Sequence, residues 1–414
     1  MTSAGQQQAA QRLADVVRDE GRRVLATLAR TTGSLTVAED AVADAVETAL
    51  RRWPVTGVPD EPRAWLTTVA RNKALDTLRR EAARVGKEAD AVEVAALNAP
   101  EGPPEASVVR DDLLRLVFTC CHPALQVEAQ VALALRTVCG LATADVARLL
   151  VLPEATVAKR LTRAKQKIAV AGIPYRVPDA EDLPARLTAV ATVVHLVFTA
   201  GHSGGETLVR PQLCDEALRL ARLLVELMPD ESSLQGLLAL MLLTDARRAT
   251  RTDADGRLLT LAEQDRSRWD ADAIAEGARL VEAALRRSRL GAGRFELQAA
   301  IAACHACAPS LEQTDWADVV ALYDALLRVE DTPVVRLNRA VAVGELAGPA
   351  AGLAALEAVG GLGRLHLWHA CRAELLARLD RRGEAVAAWQ QALDCRPSPP
   401  EEDFIRRRLA GTTG

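Results

Sequence analysis

Apolar and polar positions separate along residues 64 to 81, "AWLTTVARNKALDTLRRE". At about 100° per residue, one stripe of a helix drawn through this segment is apolar and consists of Leu66, Ala70, Ala74 and Leu78. The neighbouring stripe is polar apart from one large ring and consists of Trp65, Thr68, Asn72, Asp76 and Arg79. The pattern predicts an amphipathic helix whose polar, basic side begins with a tryptophan.

The segment before it, "SLTVAEDAVADAVETALRRW", has the same helical period. Ser34 and Thr36 are both positioned to cap this helix, and Pro54 is expected to end it. The sequence "VPDEPRAWL" then turns the chain, and Pro62 is expected to open the next helix. The first block of the chain is therefore predicted to be helical.

Residues 141–169, "LATADVARLLVLPEATVAKRLTRAKQKIA", predict a helix-turn-helix, with a tight turn at "VLP". The second helix has a narrow packing stripe that consists of Val157, Leu161, Ala164 and Ile168. A separate face without hydrophobic interruption carries Thr156, Lys159, Arg160, Arg163 and Lys167. A DNA recognition helix needs this division, because one side holds it on its domain and the other meets phosphates and base edges. An interaction helix with no DNA role would look similar.

Proline and glycine divide the chain at "NAPEGPPEAS" and at "GIPYRVPDAEDLP". The predicted organisation is two small domains, two linkers and a long C-terminal part, at 10–82, 83–107, 108–171, 172–184 and 185–414.

Composition adds the fold class. The chain of 414 residues is 49% hydrophobic and only 3% aromatic, which favours an all-α protein. Net charge is −4, so an interaction with nucleic acid has to be local. Two basic islands meet that condition, at 63–80 and 152–170, each with five cations and one carboxylate.

Location and redox state follow from what the sequence contains. The most apolar run, "LTAVATVVHLVFTAG", is shorter than a membrane span and contains His195, so a buried helix is expected there. The first residues have no basic-then-apolar signal pattern, and a cytoplasmic location is predicted. Eight cysteines spread over this length are expected to be reduced thiols.

The C-terminal half repeats an alanine followed twelve positions later by a proline, at Ala217, Ala321 and Ala385. The last instance fits a TPR consensus of small residues, one ring and a terminating proline, with Ala373, Ala385, Trp389, Ala392 and Pro397. Degenerate TPR-like helix pairs are predicted, with a concave face for a peptide, another domain or a partner protein. The charged loop at 248–269 interrupts them, and either an intramolecular or polymerase contact or a hairpin cap is expected.

No catalytic constellation, glycine-rich phosphate loop or complete metal-ligand set is present in the sequence. "CHAC" at 304–307 lacks a second ligand pair, and "CCH" at 120–122 is interpreted as small residues that end a helix. A redox or metal-sensing role for Cys304 and Cys307 stays open. No enzymatic activity, cofactor or metal is expected.

Three segments together resemble the DNA-binding domains of extracytoplasmic-function sigma factors: "EDAVADAVETAL", "PRAWLTTVARNKALDTLRR" and the helix-turn-helix. The phrases "LVFTCCHPAL", "AGIPYRVP" and "EQDRSRW" resemble the group of these proteins that carries a long, TPR-like C-terminal extension. One departure is Ala155, where many sigma factors have glycine.

The resemblance implies a role for each segment. The −10 promoter element would be contacted and melted by Trp65, Asn72, Lys73, Asp76, Arg79 and Arg80. The −35 element would be read by Thr156, Lys159, Arg160, Arg163 and Lys167. The largest subunits of core RNA polymerase would bind Glu39, Asp40, Asp44 and Glu47. Two alternatives stay open: a core or domain-junction role for Trp65, and a merely solvated acidic face for the four carboxylates of the third set.

The sequence therefore predicts a promoter-specificity subunit of bacterial RNA polymerase, with a C-terminal helical domain that serves regulation or complex stability. One alternative is a free-standing helix-turn-helix regulator with a ligand- or protein-sensing helical domain. Another is a TPR scaffold whose basic N-terminal part has no DNA-binding role.

Overall fold

The computed structural model describes residues 20–85, 106–150, 152–179, 181–202, 210–288 and 291–413. Throughout these residues the regular secondary structure is helical, and the extended backbone is limited to one isolated antiparallel bridge between Thr252 and Leu258. The predicted all-α class is confirmed. Most of the predicted linker at 83–107, and the first residues of the predicted domain at 10–82, lie outside the described residues.

The chain divides into two compact units, Met1–Leu196 and Val197–Gly414. The first unit begins with three helices: α1 at 20–32, α2 at Leu35–Thr56 and α3 at Pro62–Val85. Ser34 is the residue that caps α2, because its Oγ accepts a hydrogen bond of 3.3 Å from the Val37 amide.

Pro54 does not end α2, contrary to the prediction. The helix continues to Thr56 and stops at Gly57, whose φ of 81° is accessible to glycine at little cost. A proline removes only one helical hydrogen bond, and here the loss falls within the last turn.

Helix α3 begins at Pro62 as predicted and buries the predicted apolar stripe over most of its length. Leu66, Ala70 and Ala74 are buried, whereas Leu78 is only half-buried and Leu75 is buried beside them. The core side of the helix is therefore rotated slightly towards Leu75 at its C-terminal end.

The rest of the first unit contains the helix-turn-helix. Its helices are α4 at Ala106–Cys120, α5 at Val127–Leu133, α6 at Thr143–Leu150 and α7 at Glu154–Val170. A π-helical turn at Ala134–Val138 continues α5. The predicted packing stripe of α7 is confirmed, because Val157, Leu161, Ala164 and Ile168 are all buried. Both helices of the motif pack against each other, and α7 also packs against α5.

Several polar contacts between described residues join the α1–α3 part of this unit to the α4–α7 part. Lys165 pairs with Glu39, and both side chains are largely buried. The Leu35 amide donates a 3.0 Å hydrogen bond to the hydroxyl of Tyr175, which follows α7. Arg30 Nε lies 2.6 Å from Oδ1 of the buried Asp112.

Helix α8, Leu183–His202, is longer than its apolar run suggested. It has 20 residues, and among the described helices it is the one long and apolar enough to cross a membrane by length and composition alone. The prediction that no segment reaches this length was wrong, because the helix begins four residues before the apolar run. Core helices of soluble proteins pass the same test, and 39% of its apolar window is buried.

The second unit continues with ten helices in the described residues: α9 Pro211–Leu227, α10 Ser232–Asp245, α11 Ala271–Arg287, α12 Arg294–Cys307, α13 Trp316–Val329, α14 Pro333–Ala347, α15 Pro349–Glu357, α16 His366–Arg378, α17 Arg382–Asp394 and α18 Pro399–Thr413. Helices that follow one another in sequence pack together, and α10 also packs against α12. The closest approach is between α14 and α15, where a Cβ on Gly352 would lie 2.6 Å from the Gly344 Cα.

Small residues and one ring fill the core of the last helix pairs. Ala373, Ala385 and Ala392 are fully buried around Trp389. Ala321, by contrast, is exposed, because α13 turns Val319 and Leu326 inwards instead. The alanine–proline pattern therefore marks a packing position at Ala217 and Ala385 but not at Ala321.

Candidate nucleic-acid and polymerase interface

The outer face of α7 is cationic and open. Thr156, Lys159, Arg163 and Lys167 are exposed and Arg160 is partly exposed, opposite the buried stripe. All five line one groove beside α5, whose Glu128 is a carboxylate within it. Among the described residues, none of the four cations on this face is ion-paired, so their charges are available to an external anion.

The polar side of α3 is exposed as predicted by the helical pattern. Asn72, Lys73, Asp76, Arg79 and Arg80 all reach solvent. Arg79 lies 3.9 Å from the Asp76 carboxylate, and Arg80 donates a hydrogen bond from Nε to the Asp76 carbonyl. Asp76 therefore organises the two arginines at the C-terminal end of this face.

Trp65 lies at the other end of the same face and is only partly exposed. Its ring meets that of the buried Trp53 edge-on, with 5.5 Å between the centroids and an interplanar angle of 63°. Such T-shaped pairs stabilise a fixed ring orientation. The ring is thus anchored on α2 and presents one part of its surface to solvent.

The acidic side chains of α2 differ in their surroundings. Asp40, Asp44 and Glu47 are exposed, and Glu47 is paired with Arg51 one turn further on. Glu39 is not exposed: its carboxylate is paired with Lys165 of α7. The structure thus brings together three of the four predicted polymerase-binding carboxylates on an open surface and places the fourth in an internal ion pair.

Sequence reasoning missed the residues that join the two parts of the first unit. Asp112 is the most informative, because it follows the charged pair Arg110 and Asp111 yet lies on the same i, i+4 stripe of α4 as Leu116 and Cys120 and is 1% exposed. Burial raises its pKa, against the opposing effect of Arg30, Thr27 and Arg115. Its position in a hydrophobic pattern was a usable signal of a buried partner; Lys165 and Tyr175 gave none.

The cysteines of the two motifs "CHAC" and "CCH" are neutral thiols. Burial raises the pKa of Cys304, of Cys307 and of Cys120, and raises that of Cys121 to about 12. A thiol that stays protonated is a poor nucleophile and a poor metal ligand. Cys120, Cys121, Cys304 and Cys307 form no disulfide.

Family comparisons agree with this arrangement. Residues 16–84 match the model of Sigma-70 region 2, residues 115–168 match Sigma-70, region 4, and residues 186–285 match a family of unknown function (DUF6596). An uncharacterized protein of Rhizobium meliloti (strain 1021) is 41% identical over 397 residues, which cover 94% of this chain and 92% of the relative.

Both sigma regions match in the order and at the helices described above, with α2 and α3 in region 2 and the helix-turn-helix in region 4. Proteins of these families are DNA-binding regulators that bind core RNA polymerase. The chain belongs to the sigma-70 family: it is an extracytoplasmic-function type sigma factor, with an additional helical C-terminal part, that directs promoter-specific transcription.

Proposed function

We propose that α7 reads the −35 promoter element with Thr156, Lys159, Arg160, Arg163 and Lys167. The observation that carries this assignment is the uninterrupted exposed cationic face opposite a fully buried stripe. Arginine and lysine on such a face pair with phosphates and with the O6 and N7 acceptors of guanine.

The −10 element is assigned to the polar side of α3. Asn72 has the donor and acceptor needed for an adenine edge, and Lys73, Arg79 and Arg80 supply backbone neutralisation. Trp65, with part of its ring open to solvent and the rest held by Trp53, is suited to stack on an unpaired base.

Core polymerase binding is assigned to the carboxylates of α2. Asp40, Asp44 and Glu47 form an exposed acidic surface, and its negative charge supports docking on a basic surface of the largest subunits. Glu39 joins this set only when Lys165 releases it.

The C-terminal part, 185–414, is proposed to regulate or stabilise the transcription complex through a protein or intramolecular partner, and its helix pairs are proposed to be TPR-like. The other proposed boundaries are 10–82 and 108–171 for the two sigma domains, joined by linkers. The location proposed for a subunit of the transcription machinery is the cytoplasm, and no enzymatic activity of its own is proposed.

In vitro transcription with purified core polymerase tests the proposal. The double variant R160A/R163A is expected to lose selective run-off product, because the cationic face of α7 is weakened. The matched control R286A/R382A removes two exposed arginines of the second unit and is expected to transcribe normally. Equal transcription by both variants contradicts the assignment, and promoter binding without polymerase favours the free-standing regulator.

A second arm tests the C-terminal part. A chain that ends after residue 202 keeps all of α8, whose Arg186 donates a 2.6 Å hydrogen bond to the Phe118 carbonyl in the first unit. A chain that ends at residue 184 would lose this contact, and a loss of transcription could then come either from misfolding of the first unit or from the missing regulation. Unchanged transcription by the chain that ends at residue 202 excludes an essential role for the part removed.

A further inference from the structure

A group of arginines lies in the second unit where the ends of several elements meet. Arg247, Arg248 and Arg251 follow α10, and their charges act on His202 at the end of α8. Arg247 and Arg266 act in the same way on His305 of α12. Arg247 is thus the common neighbour of two histidines from different helices.

The carboxylates near this group are already committed. Arg248 donates to both oxygens of Asp245, at 2.8 and 2.6 Å, and to Asp215 at 2.7 Å. Glu401 accepts from Ser398 and lies 3.3 Å from His366. Arg248 therefore engages oxygens of both aspartates, although its single positive charge balances only one of them.

The other two arginines of the group have no ion-pair partner among the described residues. Arg251 uses Nη1 on the His202 carbonyl, a neutral acceptor. Arg247 is half-buried and, among the described residues, lies within ion-pair distance of no carboxylate. Burial and, to a smaller extent, the charge of Arg251 lower the pKa of Arg247 to about 10.

His202 is a second, independent observation. It is 6% exposed and stacks on Phe198 with 5.4 Å between the ring centroids. Neither ring nitrogen has a hydrogen-bond partner in the part of the chain that the structure describes. Burial and the three arginines lower its pKa to about 3, so the ring is neutral and offers one N–H donor.

A cation does not fit this place, although ligand atoms of His202, Cys214 and Asp245 lie within 4.8 Å of one another. Both oxygens of Asp245 are engaged by Arg248. Burial raises the pKa of Cys214 to about 12, so its thiolate is unfavourable. The surrounding guanidinium groups repel a metal ion.

We propose that Arg247, Arg251 and His202 form a binding site for an oxyanion, the phosphate or carboxylate group of a small molecule. The planar fork of a guanidinium pairs two N–H groups with two oxygens of such a group, and a partly buried site strengthens the attraction. The neutral imidazole of His202 supplies a further donor. The bound anion would offset the charge that Asp215 and Asp245 leave uncompensated.

Calorimetric titration of the full-length protein tests the site. Inorganic phosphate is one probe and succinate the other, with chloride at matched ionic strength as the reference. Saturable binding of at least one probe is expected, and the stronger of the two identifies the source of the oxyanion. The variant Arg247→Gln is expected to weaken binding at least tenfold. The control Arg257→Gln, an exposed arginine of the same loop paired with Asp255, is expected to bind as the wild type does.

A structural effect is separated from a binding effect by two further variants. Arg247→Lys keeps the charge without the fork, and His202→Phe keeps the stacked ring without its nitrogens; each is expected to fold and to bind more weakly. Absence of saturable binding by either probe overturns the proposal. Equal binding by Arg247→Gln, or by Arg247→Lys and His202→Phe if the first variant does not fold, overturns it as well.

Discussion

Asp112 shows how one buried side chain joins two helical regions. Oδ1 of its carboxylate lies 2.6 Å from Arg30 of α1 and 3.2 Å from Arg115 of its own helix, while its side chain is inaccessible to solvent. A buried charge is tolerated only when it is paired, and here the pairing crosses from sigma region 2 to α4, the helix that leads into region 4. The contact therefore couples the two regions through a single residue.

Asp112→Ala is expected to destabilise the first unit by about 1–3 kcal/mol, because two arginines lose their buried partner. The matched control is Asp145→Ala, which removes an exposed partner of Arg148 and should change stability by less than about 0.5 kcal/mol. Hydrogen exchange of the α1 and α4 amides in the full-length protein measures both. Equal protection in the two variants would contradict the coupling role.

Arg163 gives a prediction on specificity. If it contacts a guanine edge, Arg163→Ala loses about 1–3 kcal/mol of promoter affinity and relaxes the preference at one position of the −35 element. Lys167→Ala is expected to weaken all sequences alike, as the loss of a phosphate contact does. Binding of a randomised promoter library by the holoenzyme distinguishes these outcomes, with the exposed Gln166→Ala as the control.

At the scale of single residues, the sequence predicted burial and exposure correctly where these depend only on a residue's position around its own helix. The period of α7 separated its buried stripe from its cationic face, and the structure bears out that division. Glu39 was placed with its exposed neighbours because its partner, Lys165, is 126 positions away. Likewise, nothing local indicated that Trp53 would hold the ring of Trp65.

Among the helices, α18 has the most clearly defined start. Ser398 Oγ and its amide both donate to the Glu401 carboxylate, at 2.6 and 2.9 Å, and the amide contact is one half of a capping box. With His366 as the largest contributor, these contacts lower the pKa of Glu401 to about 2. The free carboxyl titrates near 4.5, so its ionised form is favoured in the folded protein.

Glu401 therefore contributes stability that is present above pH 4.5 and is lost as the pH falls towards 2. Glu401→Gln is expected to increase hydrogen exchange at the start of α18 at neutral pH and to flatten its acid dependence between these values. Glu402→Gln, which removes only an exposed pair with Arg406, is the control. A wild-type profile in Glu401→Gln would exclude the capping role.

Helix boundaries show where pattern reasoning stops. Capping at Ser34 and the start at Pro62 followed from side-chain chemistry that acts locally. Pro54 was predicted to end α2, but the helix continues to Thr56. A proline removes one backbone hydrogen bond, and in the last turn this loss does not interrupt the rest of the helix. The prediction that Ala321 is a packing position was wrong for a different reason: the buried side of its helix carries Val319 and Leu326, and Ala321 lies on the exposed side.

For the whole molecule, the ion pair between Glu39 and Lys165 links the proposed polymerase surface to the recognition helix. Lys165→Met releases Glu39 and is expected to raise affinity for core polymerase by about two- to tenfold, since a partly buried pair contributes on the order of 1 kcal/mol. Lys159→Met lies on the outer face and is the control in the same DNA-free binding assay. Equal affinities for the two variants would show that the pair does not restrain docking.

The order of domains along the chain was predictable because proline-rich stretches separate them, whereas contacts across those stretches were not. The hydroxyl of Tyr175, in the segment after the second sigma region, accepts a hydrogen bond from the Leu35 amide of the first. This hydrogen bond joins residues that are 140 positions apart, and the local sequence pattern around either residue does not indicate such a contact.

The loop between α10 and α11 is held by hydrogen bonds to α12 and to α18. Arg266 donates to the carbonyls of His305 and Ala308, and Arg407 of α18 donates to the Leu258 carbonyl, 149 positions away in sequence. During synthesis the loop therefore emerges long before the helix that holds its tip has been made. The contact at Leu258 can form only after residue 407 has left the ribosome, and a chain terminated before that residue would lack it.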